Sequence, residues 1–173
     1  MPVYALGDIE PRIHPDAFVH PDAVIIGNVT IGAESTVWPC AVLRGDGAGI
    51  VVGERTSVQD GAVLHNTDVL PTIVGNDCTI GHLAHLEGCT VEDAALIGTA
   101  AIVLHEAVVG TGALVGANAV VTGRTVVPPG AMALGVPAKI REGAADPEQN
   151  RRDAEHYVRR GRRYRQQMRR LDI

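Results

Sequence analysis

Aromatic side chains are scarce in this sequence, and Phe, Trp and Tyr together account for 3% of its 173 residues. The core must therefore be built from Val, Ile, Leu and Ala, with 20 glycines available for turns. Compact sandwiches and doubly wound folds rarely have such a composition, which favours a thin and repetitive structure. The length suits one domain with a short appendage.

Cysteines are also few, and the three present, Cys40, Cys78 and Cys89, are odd in number and lack CxxC spacing. This pattern argues against a disulfide framework and against a thiolate zinc site. No apolar run reaches the length of a membrane span, and the first residues lack the basic and apolar segments of a signal peptide. We expect a soluble protein in the reducing cytoplasm, without a membrane partner.

Basic residues are rare in most of the chain, because residues 1–140 carry five of them against fourteen acidic residues, a net charge of −9. Residues 141–173 carry ten arginines against six acidic residues, a net charge of +4. The arginines are interleaved with acids, and the acidic body would repel phosphates. We therefore expect a charged helix docked on the body and no nucleic-acid partner.

What the sequence does contain is a repeat with a period of six residues. Apart from two insertions and one deletion, nineteen positions follow this step and are all Ile, Val or Leu: Ile13, Val19, Ile25, Ile31, Val37, Leu43, Val52, Val58, Leu64, Val74, Ile80, Leu86, Val91, Ile97, Val103, Val109, Val115, Val121 and Val127. The residue two positions earlier is often small. This period fits a short strand followed by a corner. Within the strand, the apolar residue and the small residue two positions earlier both face inward. Glycine often follows the apolar positions, and glycine near a corner permits positive φ.

Repeats of this kind resemble those of hexapeptide-repeat solenoids, in which each coil buries its face on the next. Known solenoids of this type are left-handed with three hexads per coil. The resemblance therefore implies an all-β fold, a left-handed parallel β-helix, over residues 1–140. Residues 141–173 are predicted to form a C-terminal α-helix packed along the solenoid.

The start of that helix has its own signals, because Asp146 suits the N-cap and Pro147 the first helical position. Gly161 is expected to weaken the helix by about 1 kcal/mol relative to Ala. An apolar stripe at steps of three and four residues is expected to face the solenoid: Ala154, Tyr157, Val158, Tyr164, Met168 and Leu171.

Residues between the apolar positions carry a more specific resemblance. The segments WPCAVLRGD (38–46), VGERTSVQDGAVLH (52–65), PTIVGNDCTIGH (71–82) and GVPAK (135–139) are similar to the γ-class carbonic anhydrase family. That family includes ferripyochelin-binding-protein-like members and relatives from carnitine and phenylacetate operons. The resemblance covers roughly residues 10–140. It implies a homotrimer with zinc or iron at each subunit interface, held by two histidines of one subunit and one of its neighbour.

The family's metal ligands can be placed on this chain one at a time. The first falls on His65, the second on His82, and the third on position 87, which is Glu87 here. His85 lies two residues earlier, where the family usually has an aliphatic residue. A His–His–Glu set suits zinc with a water in the fourth position, and iron and cobalt are the alternative metals.

The repeat also predicts how Glu87 lies relative to His65. Each follows an inward leucine, and the 22 residues between them equal one 18-residue coil plus a four-residue insertion. We expect Glu87 directly above His65, about 4.8 Å away, and His85 about 6–7 Å along the strand. Three alternatives stay open: Glu87 completes the site, His85 does so instead, or Glu87 pairs across the trimer and the site is weak or empty.

Three charged residues, Arg44, Asp46 and Asp60, match family residues that pair across the trimer interface, so the resemblance implies a structural role for them. The remaining histidines, at positions 14, 20, 105 and 156, receive no functional role.

Two further residues are candidates for the chemistry itself. Gln59 matches a residue that hydrogen-bonds near the metal-bound water. Asp68, three residues after His65, could relay protons, although a lone Asp in an insertion is more often only solvated. The acidic loop that carries the proton-shuttle glutamate in the family prototype is shortened here to residues 47–49.

These features lead to four functional hypotheses. The first is a γ-carbonic anhydrase-like metalloenzyme, a lyase whose CO2 hydration is weak or lost, because one ligand is replaced and the shuttle is missing. The second is a hydrolase acting on an acyl-CoA-type thioester, and the third a non-catalytic trimeric scaffold or small-molecule-binding protein. A hexapeptide acyltransferase is the fourth, since the fold alone supports either activity. The expected partners are the protein itself, as a homotrimer, and a small-molecule substrate.

Overall fold

The computed structural model describes residues 2–171. Residue 1 of the predicted solenoid segment and residues 172–173 of the predicted helical segment lie outside it. The repeat forms a left-handed parallel β-solenoid of about seven turns with one C-terminal helix, as predicted. The elements in chain order are β1 Val3–Tyr4, β2 Arg12–Ile13, β3 Phe18–Val19, β4 Val24–Ile31, β5 Thr36–Val37, β6 Val42–Val52, β7 Ser57–Val58, β8 Val63–His65, β9 Thr72–Val74, β10 Thr79–Ile80, β11 His85–Glu87, β12 Thr90–Val91, β13 Leu96–Ile97, β14 Ile102–Val103, β15 Val108–Val109, β16 Leu114–Val115, β17 Val120–Val121, β18 Val126–Val127, β19 Met132–Leu134, β20 Lys139–Arg141 and α1 Pro147–Gln167.

The strands stack into three faces. The helix face comprises β3, β5, β7, β10, β13, β16 and β19, and α1 contacts its first four strands. The histidine face comprises β8, β11, β14 and β17, and a third face comprises β9, β12, β15 and β18. Strand β6 pairs with both β8 and β9 because it continues around the corner between these two faces. Residues 47–49, predicted as a short loop, therefore belong to a strand.

The nineteen apolar positions form the core, as the period predicts. All of those from Ile25 onward are buried, and Ile13 and Val19 are partly buried against the same cluster. Parallel pairing stacks each inward side chain on its equivalent one coil away, as in the register Leu43–Leu64–Leu86. Burial of each such side chain stabilises the fold by about 1.5–3 kcal/mol.

The glycines that follow these positions do not adopt the positive φ that glycine permits. A Cβ on Gly32 would lie 2.5 Å from the carbonyl oxygen of Gly53, so this glycine permits the close approach of successive coils. Positive φ occurs two residues later, for example at Glu34 and Arg55. The Arg55 amide donates to the Ala33 carbonyl of the coil before (2.8 Å), which helps to hold this left-handed conformation in a non-glycine residue.

The helix begins as predicted, because the Asp146 carboxylate accepts a hydrogen bond from the Gln149 amide at 3.0 Å. Within the predicted stripe, Ala154 and Val158 are buried. The prediction is wrong for the last two residues of the stripe, because α1 ends at Gln167 and both Met168 and Leu171 are exposed. No helix within residues 2–171 is long and apolar enough to span a membrane.

Gly161 has a packing role that its helix propensity does not reveal. A Cβ at this position would lie 2.5 Å from Cγ2 of Thr36, so the glycine allows the helix to approach the sheet. Around it, Trp38 contacts Tyr164 edge-on at 5.0 Å and Tyr157 at 6.0 Å between ring centroids. Much of the scarce aromatic content is therefore used to dock the helix.

Candidate functional site

His65 and Glu87 lie at the ends of neighbouring strands on the histidine face. The register pairs Glu87 with His65 and His65 with Arg44, so the predicted stacking of Glu87 over His65 is confirmed. Each follows a fully buried leucine, and their side chains therefore face outward.

Both ring nitrogens of His65 contact a carboxylate. Nδ1 lies 3.0 Å from Oε1 of Glu87, and Nε2 lies 2.8 Å from Oδ1 of Asp46. The Arg44 guanidinium also forms an ion pair with Asp46. Partial burial alone would raise the pKa of Asp46, but the hydrogen bond from His65 and the charge of Arg44 outweigh it and leave this pKa below its usual value. Asp46 is therefore a stable anion that fixes the orientation of the His65 ring.

The Glu87 carboxylate lies among three imidazoles. Besides His65, Nε2 of His85 lies 3.3 Å from Oε2, and Nε2 of His105 lies 3.7 Å from Oε1. Partial burial would raise the pKa of Glu87, but the hydrogen bonds from His65 and His85 outweigh it, with further contributions from the charges of His65 and His105. The net shift is downward, so the carboxylate is ionised at neutral pH.

His105 is the member of this cluster that the sequence analysis missed. Leu86 pairs with Val103, so His105 lies level with Gly88, the residue after Glu87. A Cβ on Gly88 would lie 3.0 Å from Cδ2 of His105, and the glycine therefore leaves room for the ring. The 17-residue length of this coil, together with the glycine beside Glu87, could have indicated this contact from the sequence.

His82 lies at a different corner, after strand β10, where its Nδ1 is 3.0 Å from Oδ2 of Asp60. Both side chains are 48% exposed. Within residues 2–171, His82 makes no hydrogen bond or ion pair with His65 or Glu87. In the same part of the chain, no group of three or more His, Cys, Asp or Glu side chains is arranged to hold a metal ion. One chain therefore brings together only part of the predicted ligand set.

The two candidates for proton chemistry are separated from this cluster. Gln59 is buried, 4% exposed, and lies beside His82 rather than His65. Asp68 is exposed in the loop between β8 and β9, where the Thr67 hydroxyl accepts hydrogen bonds from the amides of Val69 and Leu70. Within the described residues, the Asp68 carboxylate has no hydrogen bond or ion pair.

Known proteins with similar sequences and structures were found. The family described as bacterial transferase hexapeptide (six repeats) matches residues 10–45. A hexapeptide transferase family protein from Anaplasma phagocytophilum is 33% identical, with a TM-score of 0.90 over 94% of this chain and 98% of that one. A Bacillus cereus protein described as an acetyltransferase is 35% identical, with a TM-score of 0.91 over 95% and 96%. Mitochondrial γ carbonic anhydrase 2 of Arabidopsis thaliana is 41% identical over 147 residues, which are 82% of this chain and 53% of the relative.

The chain belongs to the hexapeptide-repeat family, and it is γ-carbonic anhydrase-like. The carnitine operon protein CaiE of Escherichia coli is 42% identical over 110 residues, 64% of this chain and 56% of CaiE. The chain thus spans about half the length of the curated relatives it matches.

The donors of this γ-carbonic anhydrase-like chain are of the types that bind zinc, although the described residues of one chain do not form a complete site. Two ligands about 2 Å from a tetrahedral zinc ion lie about 3.3 Å apart, and His65 Nδ1 and Glu87 Oε1 are 3.0 Å apart. Asp46 on His65 and Asp60 on His82 supply the carboxylates that commonly orient metal-binding histidines. Thiolate ligands are disfavoured, because burial raises the pKa of both Cys78 and Cys89 to about 12.

Proposed function

We propose that the protein is a γ-carbonic anhydrase-like metalloprotein that works as a homotrimer. His65 and Glu87 of one protomer and His82 of its neighbour would hold a zinc ion, with iron and cobalt as alternatives. A bound ion of this kind acts as a Lewis acid and lowers the pKa of water. Cytoplasmic location remains a prediction, as does the division of the chain at residue 140.

One observation carries the proposal, namely the His65 ring held between Asp46 and Glu87. The contact with Asp46 at Nε2 leaves Nδ1 as the nitrogen that faces the Glu87 carboxylate. His82 presents the complementary arrangement, because Asp60 holds its Nδ1 and Nε2 has no partner within residues 2–171. At each corner an aspartate thus holds one imidazole nitrogen and leaves the other for a metal ion. The His65 corner of one protomer and the His82 corner of its neighbour could together bind that ion.

The same residues support weak rather than fast CO2 hydration. A carboxylate ligand neutralises part of the metal charge, so the Glu87 site would be a poorer Lewis acid than a site of three imidazoles. Residues 47–49 carry no acidic side chain that could move protons, and Asp68 has no contact with His65 in the described structure. His85 contacts Glu87, which supports its role as an alternative third ligand.

A second candidate function is hydrolysis of an acyl-CoA-type thioester at the same metal site. The relative of similar length that is described as an acetyltransferase favours acyl chemistry, and it supports the fourth hypothesis, a hexapeptide acyltransferase, at least as much as hydrolysis. A third candidate is a trimeric small-molecule-binding protein without catalysis. It is favoured by the contacts of Glu87 with three histidines, which already satisfy its carboxylate without a metal.

Metal analysis of the purified protein tests the ligand assignment. We expect one metal ion per chain, with loss of the metal in His65→Ala and Glu87→Ala. His14→Ala is the control, because His14 lies at a distant corner and, within residues 2–171, its side chain has a hydrogen bond or ion pair only with Asp16. If Glu87→Ala keeps its metal and His85→Ala loses it, His85 is the third ligand. If His65→Ala keeps its metal, the proposed site is wrong.

Activity measurements then separate the candidate functions. Stopped-flow assays of CO2 hydration on zinc- and iron-loaded protein should give a slow rate above the buffer rate that is lost in His65→Ala. A panel of acyl-CoA substrates should remain intact if the protein is only an anhydrase. Thioester cleavage without CO2 hydration would favour the hydrolase, and neither activity in metal-loaded protein would favour the binding protein.

A further inference from the structure

A groove of about 580 Å³ lies at the C-terminal end of α1, and none of the residues of the His65 cluster lines it. Arg160, Arg163 and Gln167 line it from the helix, and Arg169 and Leu171 line it from the tail that follows the helix. No Asp or Glu within residues 2–171 lines this groove. Its charged side chains are therefore all cations.

The sequence places these cations together through the helical period and the end of the helix. Arg160, Arg163 and Gln167 follow each other at steps of three and four residues, which brings their side chains to one side of α1. The helix ends at Gln167, and Met168 is extended, with φ −69° and ψ 131°. The Met168 amide still donates to a carbonyl of the last turn at 2.9 Å, so the tail starts against the helix and Arg169 lines the same groove.

The arginines of the groove differ from the others of α1 in their partners. Within residues 2–171, Arg160, Arg163 and Arg169 form no ion pair. Oε1 of Gln167 accepts a hydrogen bond from Nε of Arg163 at 3.2 Å, and the Arg160 guanidinium lies 5.8 Å from the centroid of the Tyr157 ring. The other five arginines of α1 all pair with carboxylates: Arg151 with Glu148, Arg152 with Asp146, Arg159 with Glu155, Arg162 with Glu34 and Arg165 with Asp16.

Two simpler explanations account for only part of this pattern. The helix dipole stabilises a cation near the C-terminal end of a helix, but its effect is confined to the last turn. Arg160 lies seven residues before the end of α1, beyond that range. A charged face that only meets solvent needs no particular arrangement, whereas here the three arginines without a carboxylate partner line one groove.

We propose that this groove binds a small molecule that carries a diphosphate or triphosphate group. A guanidinium group can bind two phosphate oxygens through parallel hydrogen bonds, and three such groups match the several negative charges of a polyphosphate. Tyr164, Met168 and Leu171 also line the groove and are 40%, 40% and 58% exposed, so they offer an apolar wall to the organic part of a ligand. Inorganic pyrophosphate and a nucleotide share this chemistry, and their affinities distinguish them.

The charge of the rest of the molecule limits the size of the polyanion. Residues 1–140 carry a net charge of −9, so a long nucleic acid that crossed the solenoid would be repelled. Salt screens exposed charges over about 8–10 Å. A ligand confined to the groove is therefore influenced mainly by the nearby arginines, which favours a small polyphosphate over an oligonucleotide.

Calorimetric titration of the full-length protein with sodium pyrophosphate and with ADP tests the proposal. We expect one saturable site per chain, weaker binding as the salt concentration rises, and no binding of adenosine. Arg160→Gln and Arg163→Gln should each weaken binding about three- to tenfold, because each removes a charge-assisted hydrogen bond that is exposed to solvent. Arg151→Gln is the matched control, since it removes the same charge from the same helix at a position that pairs with Glu148.

The comparison of the two ligands identifies the source of the phosphate group. Tighter binding of ADP than of pyrophosphate would identify a nucleotide, and the reverse would identify the inorganic anion; both results support the proposal. In NMR spectra, the amide signals of Gln167 and Arg169 should shift on addition of either ligand, whereas that of Gly75, on the solenoid, should not. His65→Ala should bind pyrophosphate like the parent protein, so a failure of the proposed metal site would leave this result unchanged.

Three outcomes would overturn the proposal. The first is the absence of saturable binding. The second is equal weakening in Arg151→Gln and Arg163→Gln, which would show that only the total charge of the helix matters. The third is binding of an oligonucleotide or of phosphatidylglycerol vesicles without binding of pyrophosphate or ADP, which would assign the groove to a macromolecule or a membrane surface.

Discussion

At two corners of the solenoid a histidine contacts an aspartate of the preceding coil: His65 contacts Asp46, and His82 contacts Asp60. The two histidines differ in how much of their surroundings a single chain supplies. At the first, carboxylates contact both nitrogens of His65, and the side chains of His65, Asp46 and Glu87 are between 20% and 32% exposed. At the second, His82 and Asp60 are each 48% exposed, and one His82 nitrogen has no partner within residues 2–171. The difference indicates that the surroundings of His65 come largely from its own chain, whereas the His82 corner leaves one exposed imidazole nitrogen without a partner in the described residues.

The largest expected effect comes from breaking each corner in turn. His65→Ala and His82→Ala should each lose nearly all bound metal, because each removes one of three ligands. Trimers mixed at random from equal amounts of both variants should recover metal in about one quarter of their sites, since only some interfaces join an intact His65 to an intact His82. Metal content and oligomeric state can be measured on the same sample.

Recovery is the decisive readout in that mixing experiment. A site contained within one chain would recover no metal, and a protein that is monomeric in solution would contradict the shared site outright. Trimers of each single variant, taken through the same mixing procedure, are the controls.

A smaller effect is expected from the aspartates that orient the two rings. Asp46→Asn and Asp60→Asn should each lower metal affinity about 10- to 100-fold, the usual range for a partner of a metal-binding histidine. Asp46→Asn should cost more, because Asp46 is less exposed than Asp60 and also pairs with Arg44. Competition with a metal chelator measures both affinities, and Asp16→Asn, next to His14, is the control. Unchanged affinity in both variants would mean that the aspartates are structural only.

Glycines near the two corners allow a comparison of packing. A Cβ on Gly81 would lie 2.7 Å from the carbonyl oxygen of Ile97, which is backbone and cannot move aside. A Cβ on Gly88 would lie 3.0 Å from the His105 ring, and this ring can rotate away. The φ of Gly88, +60°, also disfavours Ala. We expect Gly81→Ala to destabilise the fold by about 1–3 kcal/mol and Gly88→Ala by about 1 kcal/mol. Chemical denaturation measures both, and a larger loss for Gly88→Ala would contradict this order.

The contrast between the corners also shows what the sequence could predict. The inward positions follow from the period of six, and the stacking of Glu87 on His65 follows from counting one coil plus an insertion. The His105 contact was missed, because it depends on a coil shortened to 17 residues and on the space at Gly88. The packing of Gly161 against Thr36 was missed as well, because the two residues are distant in sequence. Positions fixed by the repeat were therefore predictable, and those fixed by packing between distant segments were not.

The smallest expected effect concerns the ionisation of Glu87 in metal-free protein. His65 and His85 lower its pKa in the folded state below the usual value of 4.5, and His105 also faces it. The stability from this shift is fully present above pH 4.5 and is lost as the pH falls through the folded-state pKa. Melting temperatures of chelator-treated protein between pH 7 and pH 3 should therefore fall less steeply in Glu87→Gln than in the parent protein. Glu148→Gln is the control, because Glu148 lies on α1, away from this cluster, and pairs there with Arg151. Parallel curves for Glu87→Gln and the parent would show that the contacts of Glu87 with the histidines do not stabilise the metal-free fold, and that the His65 corner, like the His82 corner, needs more than its own chain.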